Sequence, residues 1–252
     1  MRLVSAFAAA VIAFAIPAGA NAAEIALLSP NPIKETLDRL VANYEAKTGN
    51  HVQITYGSGV GTRDTVAKGG AKDVTLLFAP FDDAIRTGNV DRSTATVVAR
   101  LRLAIAVKKG APKPNISTAA AVRNTLRNAK SIASVDPAQG SVGGAVLLAL
   151  NKMSLTTEIQ PKIKWMPGGG DVQKSVAAGE TEIAFGPYLS DMRNPGLDIV
   201  GALPPDAATP VDITGFISTG AKDRAAAKSL IDYLRSADAA PLWREAKAFP
   251  VQ

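Results

Sequence analysis

Five short segments rich in glycine, serine and proline hold the groups best suited to bind a small anion. They are residues 29–32, 57–62, 136–144, 167–171 and 186–190. Glycine lets backbone N–H groups approach a ligand, the first turn of a helix leaves N–H groups unpaired, and serine adds a hydroxyl donor. Neutral donors of this kind can bind an oxyanion. Each segment taken alone is also an ordinary turn of an α/β protein, but five together favour anion binding.

The candidate ligand-binding residues come from these segments and from two arginines. Asn31, followed by Pro32, is expected to cap the first long helix. Arg63 and Arg102 could each pair with a ligand carboxylate, or could be solvated or structural arginines. The full set of candidates is Ser29, Asn31, Ser58, Gly59, Arg63, Arg102, Gln139, Ser141, Val142, Asp171 and Tyr188.

Residues typical of catalysis or metal binding are few. His51 is the single histidine and the chain has no cysteine, which argues against a Ser-His-Asp triad and a histidine-rich metal site. The segment 57–61 lacks the Gly-Lys-Ser/Thr of a P-loop and the glycine spacing of a dinucleotide fingerprint. We therefore expect no metal and no cofactor, and we assign no catalytic residue from the sequence.

The elements that position these segments alternate between strands and amphipathic helices, which predicts parallel α/β sheets. Strands are expected at 25–28, 52–56, 74–78, 95–107, 131–135, 162–166, 182–185, 198–203 and 211–218. Helices are expected at 32–47, 62–68, 82–87, 118–128, 144–152, 171–178, 222–235 and 239–246. All five segments then follow the carboxyl ends of strands, where open sheets bind ligands.

The order of these elements predicts two lobes. The first has only about 75 residues before the long strand expected at 95–107, too few to cover its own core, so the last helices should return to it. We expect a discontinuous first lobe, residues 23–99 plus 205–252, and a continuous second lobe, residues 100–204. Ligand would bind between the lobes.

The N-terminal residues 1–22 have the pattern of a secretory signal peptide. Arg2 precedes an apolar run from Leu3 to Ile16, and Ala20-Asn21-Ala22 provides small residues for cleavage before Ala23. The alternative is a membrane anchor, but this run is about 14 residues, whereas a bilayer-spanning helix needs roughly 20. With no cysteine for a lipid anchor, we expect a free periplasmic protein.

The charge of the chain is mildly positive. It carries 28 Lys plus Arg against 22 Asp plus Glu, a net charge of +6, and only 5% of its residues are aromatic. The positive residues form no run and have no interleaved aromatic residues, so we expect no binding to nucleic acid. The diffuse positive charge would favour an acidic ligand but is equally ordinary for a basic exported protein. We expect the protein to be a monomer.

Several short motifs together resemble one family. They are Tyr44-Glu-Ala-Lys-Thr-Gly49, Tyr56-Gly-Ser58, Gly69-Gly-Ala-Lys-Asp73, Asp136-Pro137, Pro167-Gly-Gly-Gly-Asp171 and Gly179-Glu-Thr-Glu-Ile183. In order and spacing they are similar to type 2 periplasmic solute-binding proteins, in particular the molybdate-binding branch of ABC transporters. The resemblance implies a two-lobe clamshell that delivers its ligand to an inner-membrane permease.

The resemblance also implies a ring of serine hydroxyls and backbone amides around the ligand, with a tyrosine from the second lobe. This sequence keeps Ser58 but has Gly59 where a second serine is expected and Asn31-Pro32 in place of a serine. Its Gly186-Pro187-Tyr188 also displaces the tyrosine from the expected position. A different oxyanion or a small carboxylate therefore fits as well as molybdate. The branch also resembles periplasmic aconitate isomerase, so an isomerase of a small polycarboxylate is the alternative function.

Overall fold

A computed structural model describes residues 22–187 and 194–250 of the chain. Its strands are β1 Glu24–Pro30, β2 His51–Gly57, β3 Val74–Phe78, β4 Val90–Leu101, β5 Leu103–Lys108, β6 Ile132–Val135, β7 Ile163–Met166, β8 Ile183–Pro187, β9 Leu197–Ala202, β10 Val211–Ser218 and β11 Phe249–Pro250. Its α-helices are α1 Lys34–Thr48, α2 Gly59–Ala67, α3 Asp82–Ile85, α4 Ala119–Asn128, α5 Ser141–Lys152, α6 Thr156–Ile159, α7 Gly169–Ala178, α8 Arg224–Arg235 and α9 Ala240–Glu245.

The strands form two separate mixed sheets. The first sheet has the order β11-β4-β10-β3-β1-β2, and the second has the order β7-β6-β8-β5-β9. Within the first sheet β1 pairs in parallel with β2 and β3, while β10 is antiparallel to β3 and β4. In the second sheet β6 is parallel to β7 and β8, while β5 is antiparallel to β8 and β9. The predicted α/β class, with two sheets flanked by helices, is confirmed.

The chain passes from the first sheet to the second at Arg102 and returns between Ala202 and Val211. The prediction of one continuous strand over 95–107 is therefore wrong. β4 pairs with β10 and β11 in the first sheet, whereas β5 pairs with β8 and β9 in the second. A single straight strand cannot pair with strands of two separate sheets, so the strand ends at Leu101 and a new one begins at Leu103.

The last helices cover the first sheet. Leu230 and Leu234 of α8 and Trp243 of α9 are fully buried in the same core as Leu37 and Leu40 of α1. The indole N–H of Trp243 donates to the carbonyl of Leu234 at 2.8 Å, so the buried ring leaves no unpaired donor. The C-terminal segment thus completes the core that the N-terminal segment begins.

Each sheet has apolar packing on its other face as well. Val66 of α2 packs with Leu28 and Phe216 under the first sheet. In the second sheet Val172 and Val176 of α7 pack with Ala133 on one face, and the helices α4, α5 and α6 cover the other. Helices on both faces explain why the central strands are almost continuously apolar. Among the residues that the structure describes, no helix is long and apolar enough to span a membrane.

Candidate functional site

A cavity of about 330 Å³ receives residues from all five glycine-rich segments. It lies between elements of the two sheets, beyond the carboxyl ends of β1, β2, β6, β7 and β8. Its described lining consists of Asn31, Pro32, Ser58, Gly59, Phe78, Val135, Gln139, Gly140, Ser141, Val142, Pro167, Gly168, Gly169, Gly170, Val172, Gln173, Phe185, Gly186 and Pro187. Residues up to 156 positions apart in the sequence, Asn31 and Pro187, therefore face one space.

The start of α2 forms one wall of the cavity. Ser58 is in an extended conformation and its Oγ accepts a hydrogen bond from the N–H of Gly61 at 2.9 Å. The hydroxyl therefore caps the helix, and its own proton is available to donate to a ligand. The N–H groups of Gly59 and Val60 belong to the first turn, where no intrahelical acceptor exists. No acidic residue occupies that turn, so the start of α2 favours an anion.

The start of α5 meets the start of α2. Its N-cap is Gly140, which has no side chain to satisfy the first N–H groups, and the first turn carries no acidic residue. Ser141 is 3% exposed and lines the cavity. Its Oγ is buried with no hydrogen-bond partner among the described residues. A buried hydroxyl without a partner is unfavourable, so this position would gain a hydrogen bond from a ligand.

The start of α7 contributes three glycines, Gly168, Gly169 and Gly170, to the lining. Asp171 follows them, is exposed, and is not among the lining residues. Its carboxylate lies in the first turn of α7, where it interacts favourably with the helix dipole. The structure therefore brings the backbone beside Asp171 to the cavity rather than the Asp171 side chain.

Asn31 lines the cavity but does not cap a helix, so that prediction is wrong. A single 3-10 turn, Asn31–Ile33, precedes α1, and the residue before it is Pro30, with no side-chain capping bond. Because the turn already begins at Asn31, its side chain is exposed and faces the cavity.

Ser29 is fully buried within β1, where its Oγ donates to the carbonyl of Pro30 at 3.4 Å. It is outside the described lining of the cavity.

The two candidate arginines are not brought to the cavity. Arg63 donates to the carbonyl of Pro80 at 2.8 Å. Arg102 donates to the carbonyl of Leu203 and its guanidinium lies 5.4 Å from the centre of the Phe249 ring. Both guanidinium groups therefore bind backbone carbonyls instead of facing the space between the sheets. Gln139 and Val142 do line the cavity, while Tyr188 lies outside the described residues.

Sequence reasoning missed five lining residues: Phe78, Val135, Val172, Gln173 and Phe185. A signal for three of them was available, because Phe78, Val135 and Phe185 end the strands predicted at 74–78, 131–135 and 182–185. The residue that ends a strand of an open sheet lies beside its ligand crevice. Their apolar character indicated core packing, and each is also partly or fully buried.

The donors of the described lining are neutral: backbone N–H groups, serine hydroxyls and the carboxamides of Asn31, Gln139 and Gln173. No group of three or more potential metal ligands occurs among the residues that the structure describes. The side chain of His51 is 63% exposed, and its Nδ1 lies 3.0 Å from Oε1 of Glu45. Burial, together with a hydrogen bond to Asp38, raises the pKa of Tyr56, which also lies outside the described lining.

The chain is similar in sequence to characterised proteins over almost its whole length. It is 30% identical over 234 residues to an aconitate isomerase from Pseudomonas sp, covering 90% of this chain and 88% of that one. It is 27% identical over 242 residues to the molybdate-binding protein of Azotobacter vinelandii, covering 93% of this chain and 91% of that one.

The fold is shared with solved structures at low sequence identity. A substrate binding domain from Clostridium difficile superposes with a TM-score of 0.75 at 15% identity, covering 92% of this chain and all of that one (100%). The likeness agrees with the two-sheet architecture and confirms the predicted fold. The sequence model of the bacterial extracellular solute-binding proteins matches residues 25–246, and the chain belongs to that family.

Proposed function

We propose that the chain is the periplasmic solute-binding component of an ABC-type uptake system for a small anion, either an oxyanion such as molybdate or a small carboxylate. The observation that carries this proposal is the convergence of all five glycine-rich segments on one cavity. Turns that served only to connect elements would have no reason to face the same space.

Neutral donors are suited to reversible binding of an anion. The N–H groups at the starts of α2, α5 and α7 and the hydroxyls of Ser58 and Ser141 present partial positive charge to the cavity. Such donors bind a dehydrated anion without a full countercharge, and the helix dipoles add to the attraction. A carrier must also release its ligand, which a strong buried ion pair would oppose.

Two lobes would open and close around the ligand. Residues 23–99 with 205–252 would form one lobe and residues 100–204 the other, with the two crossing segments near Arg102 and Leu203 as hinges. Ligand contacts made from both lobes stabilise the closed form over the open one. The inner-membrane permease would recognise the closed form that carries the ligand. Residues 1–22 would direct export to the periplasm, where the protein would be a monomer.

A thermal unfolding panel tests the proposal on protein purified from the periplasm. Molybdate, tungstate, sulfate, phosphate and a series of carboxylates would each be added at saturating concentration. A ligand present at 100 times its Kd stabilises by about 2.7 kcal/mol, which raises Tm by several degrees in a chain of this size. Chloride at equal ionic strength is the control. If no anion raises Tm above chloride, the proposed function is wrong.

A second candidate function is an isomerase acting on a small polycarboxylate. It is favoured by the 30% identity to the aconitate isomerase across 90% of the chain. Such an enzyme needs a proton acceptor placed against the bound substrate. Incubation with cis-aconitate, followed by proton NMR, tests it directly. Formation of the trans isomer well above the rate without protein would establish turnover, whereas stabilisation without conversion would leave a binding protein.

A further inference from the structure

The cavity has a large apolar part in addition to its donors. Phe78 at the end of β3 and Phe185 in β8 lie behind the lining, and because they are only 1% and 0% exposed they present almost no surface to the cavity themselves. The apolar groups that remain open to the cavity are the side chain of Val135 at the end of β6 and the rings of Pro32, Pro167 and Pro187. An inorganic oxyanion is bound by hydrogen bonds and gains little from contact with these groups, whereas a carbon skeleton would gain from burial against them.

The cavity is also larger than an inorganic oxyanion requires. If each oxygen of a tetrahedral oxyanion takes the roughly 30 Å³ of a water molecule in liquid water, the ion occupies about 120 Å³. The cavity measures about 330 Å³. A tetrahedral ion would leave most of this space to water lying against apolar walls, and that arrangement is unfavourable. The remaining volume suits several carbon atoms.

The donors with no competing negative charge are concentrated where α2 and α5 begin. Gly59 and Ser141 are in contact there, and neither first turn holds an acidic residue. The start of α7, by contrast, carries the carboxylate of Asp171. The unpaired Oγ of Ser141 is a second, independent indication of a ligand group at the α2 and α5 end. This asymmetry matches a molecule with one charged end.

We infer that the ligand is an organic acid of about six to ten non-hydrogen atoms. Its carboxylate lies at the starts of α2 and α5, within reach of the Ser141 hydroxyl, and its uncharged carbon skeleton packs against Val135 and the proline rings of the lining. This inference rests on the proposed function, since it names the class of anion that the same cavity binds.

Calorimetric titration of the whole protein with unbranched monocarboxylates of two to seven carbon atoms tests the inference, with molybdate and sulfate as the inorganic ions. Affinity should rise about fourfold for each methylene buried, until the cavity is filled. An affinity that does not change with chain length, or molybdate or sulfate binding more tightly than every carboxylate, would overturn the inference and leave the proposed anion carrier intact. Absence of binding by all these anions would overturn the inference, whereas the proposed function would fail only if no anion of the wider thermal unfolding panel raised Tm.

A conservative variant locates the skeleton within the cavity. Val135→Thr keeps the shape of the side chain and places a hydroxyl against the carbon chain, so the gain per methylene should fall to about twofold or less. Val200→Thr is the matched control, because Val200 is also a partly buried strand valine but lies outside the described lining. The control should keep the native gain. Equal gains in both variants would contradict the placement of the skeleton against Val135.

Discussion

Gly59 of α2 and Ser141 of α5 are in contact at the wall of the cavity, and no space remains between them for a side chain. A Cβ atom built on Gly59 would lie 2.9 Å from Oγ and 3.2 Å from the backbone N of Ser141. α2 packs beneath the first sheet and α5 covers the second. The contact therefore joins the two halves of the structure at the point where two helix starts present their N–H groups.

Replacement of this glycine should hold the two halves apart. Gly59→Ala adds a methyl group closer to the Ser141 backbone than ordinary van der Waals contact allows. The two helix starts must then separate by a few tenths of an ångström, which weakens every hydrogen bond that they share with a ligand. We expect anion affinity to fall at least tenfold, measured by calorimetry. The unfolding temperature should change little, because the contact lies between the two cores and belongs to neither.

Gly144→Ala is the control for this substitution. Gly144 lies in α5, three residues beyond Ser141, and a Cβ atom there meets nothing within 4 Å. Alanine in a helix interior is more stable than glycine by about 0.5–1 kcal/mol. The control should therefore be slightly more stable and bind as the native protein does. Unchanged affinity in Gly59→Ala would show that closure does not need the close contact.

The hydroxyl of Ser141 should matter to the ligand more than to the fold. Ser141→Ala removes a buried Oγ that has no partner among the described residues, so stability should stay the same or rise slightly. A hydrogen bond to a charged group contributes about 1.5–3 kcal/mol, so affinity should fall by roughly ten- to a hundredfold.

Ser134 provides the matched control for Ser141. Its Oγ is also buried without a described partner, but the residue is not part of the described lining. Ser134→Ala should therefore leave affinity unchanged. Equal losses in the two variants would mean that the effect comes from packing within the second sheet, and the role assigned to the Ser141 hydroxyl would be wrong.

The fold could be predicted further from the sequence than the site could. The strands at 74–78 and 211–218 were predicted with the bounds that the structure shows. The first is almost continuously apolar, and the second has β-branched and aromatic residues and is followed by Thr219-Gly220. The break at Arg102 was missed, because local pattern does not tell which ladder a strand will join. Helix starts were placed two or three residues late at α2, α5 and α7, since glycines there favoured a turn.

The candidate site shows where reasoning from local sequence ends. The sequence located the five segments that supply donors, because serine and glycine after a strand have a recognisable chemistry. It could not show that the guanidinium groups of Arg63 and Arg102 bind backbone carbonyls from Pro80 and Leu203. These partners are 17 and 101 positions away in the chain, and only the tertiary fold brings them together.

The pH dependence of stability should include a contribution from Asp91. Hydrogen bonds from Ser93, and then from Arg224, lower the pKa of Asp91 below its ordinary value of 3.8. A carboxylate whose pKa is lower in the folded state than in the unfolded state stabilises the folded protein. This stabilisation is complete above the unfolded-state pKa and is lost as the pH falls through the folded-state pKa. Denaturant unfolding between pH 6 and pH 2 should show this loss below about pH 4.

Asp91→Asn should make the unfolding free energy less dependent on pH in that acid range, because the amide does not titrate. Asp206→Asn, at an exposed aspartate, is the control for the general effect of removing one carboxylate. If the two variants show the same pH dependence, the hydrogen bonds that Asp91 accepts from Ser93 and Arg224 do not contribute to acid stability.

Arg102 should affect the opening and closing of the lobes rather than the recognition of the ligand. Its guanidinium donates to the carbonyl of Leu203 and lies over the ring of Phe249, so it connects both crossing segments to the C-terminal strand. Arg102→Ala should change the affinity for every anion by the same factor, about two- to fivefold. The substitution changes the equilibrium between the open and closed forms, and that equilibrium contributes equally to the affinity of every ligand. Small-angle scattering with and without ligand would show the shift between the open and closed forms.

Arg63→Ala, which removes an exposed guanidinium bonded to Pro80, is the control and should leave affinity within about twofold. A direct bond from Arg102 to a carboxylate predicts a different result, since loss of a charged hydrogen bond costs about 1.5–3 kcal/mol and would be greater for carboxylates than for a sulfate-like ion.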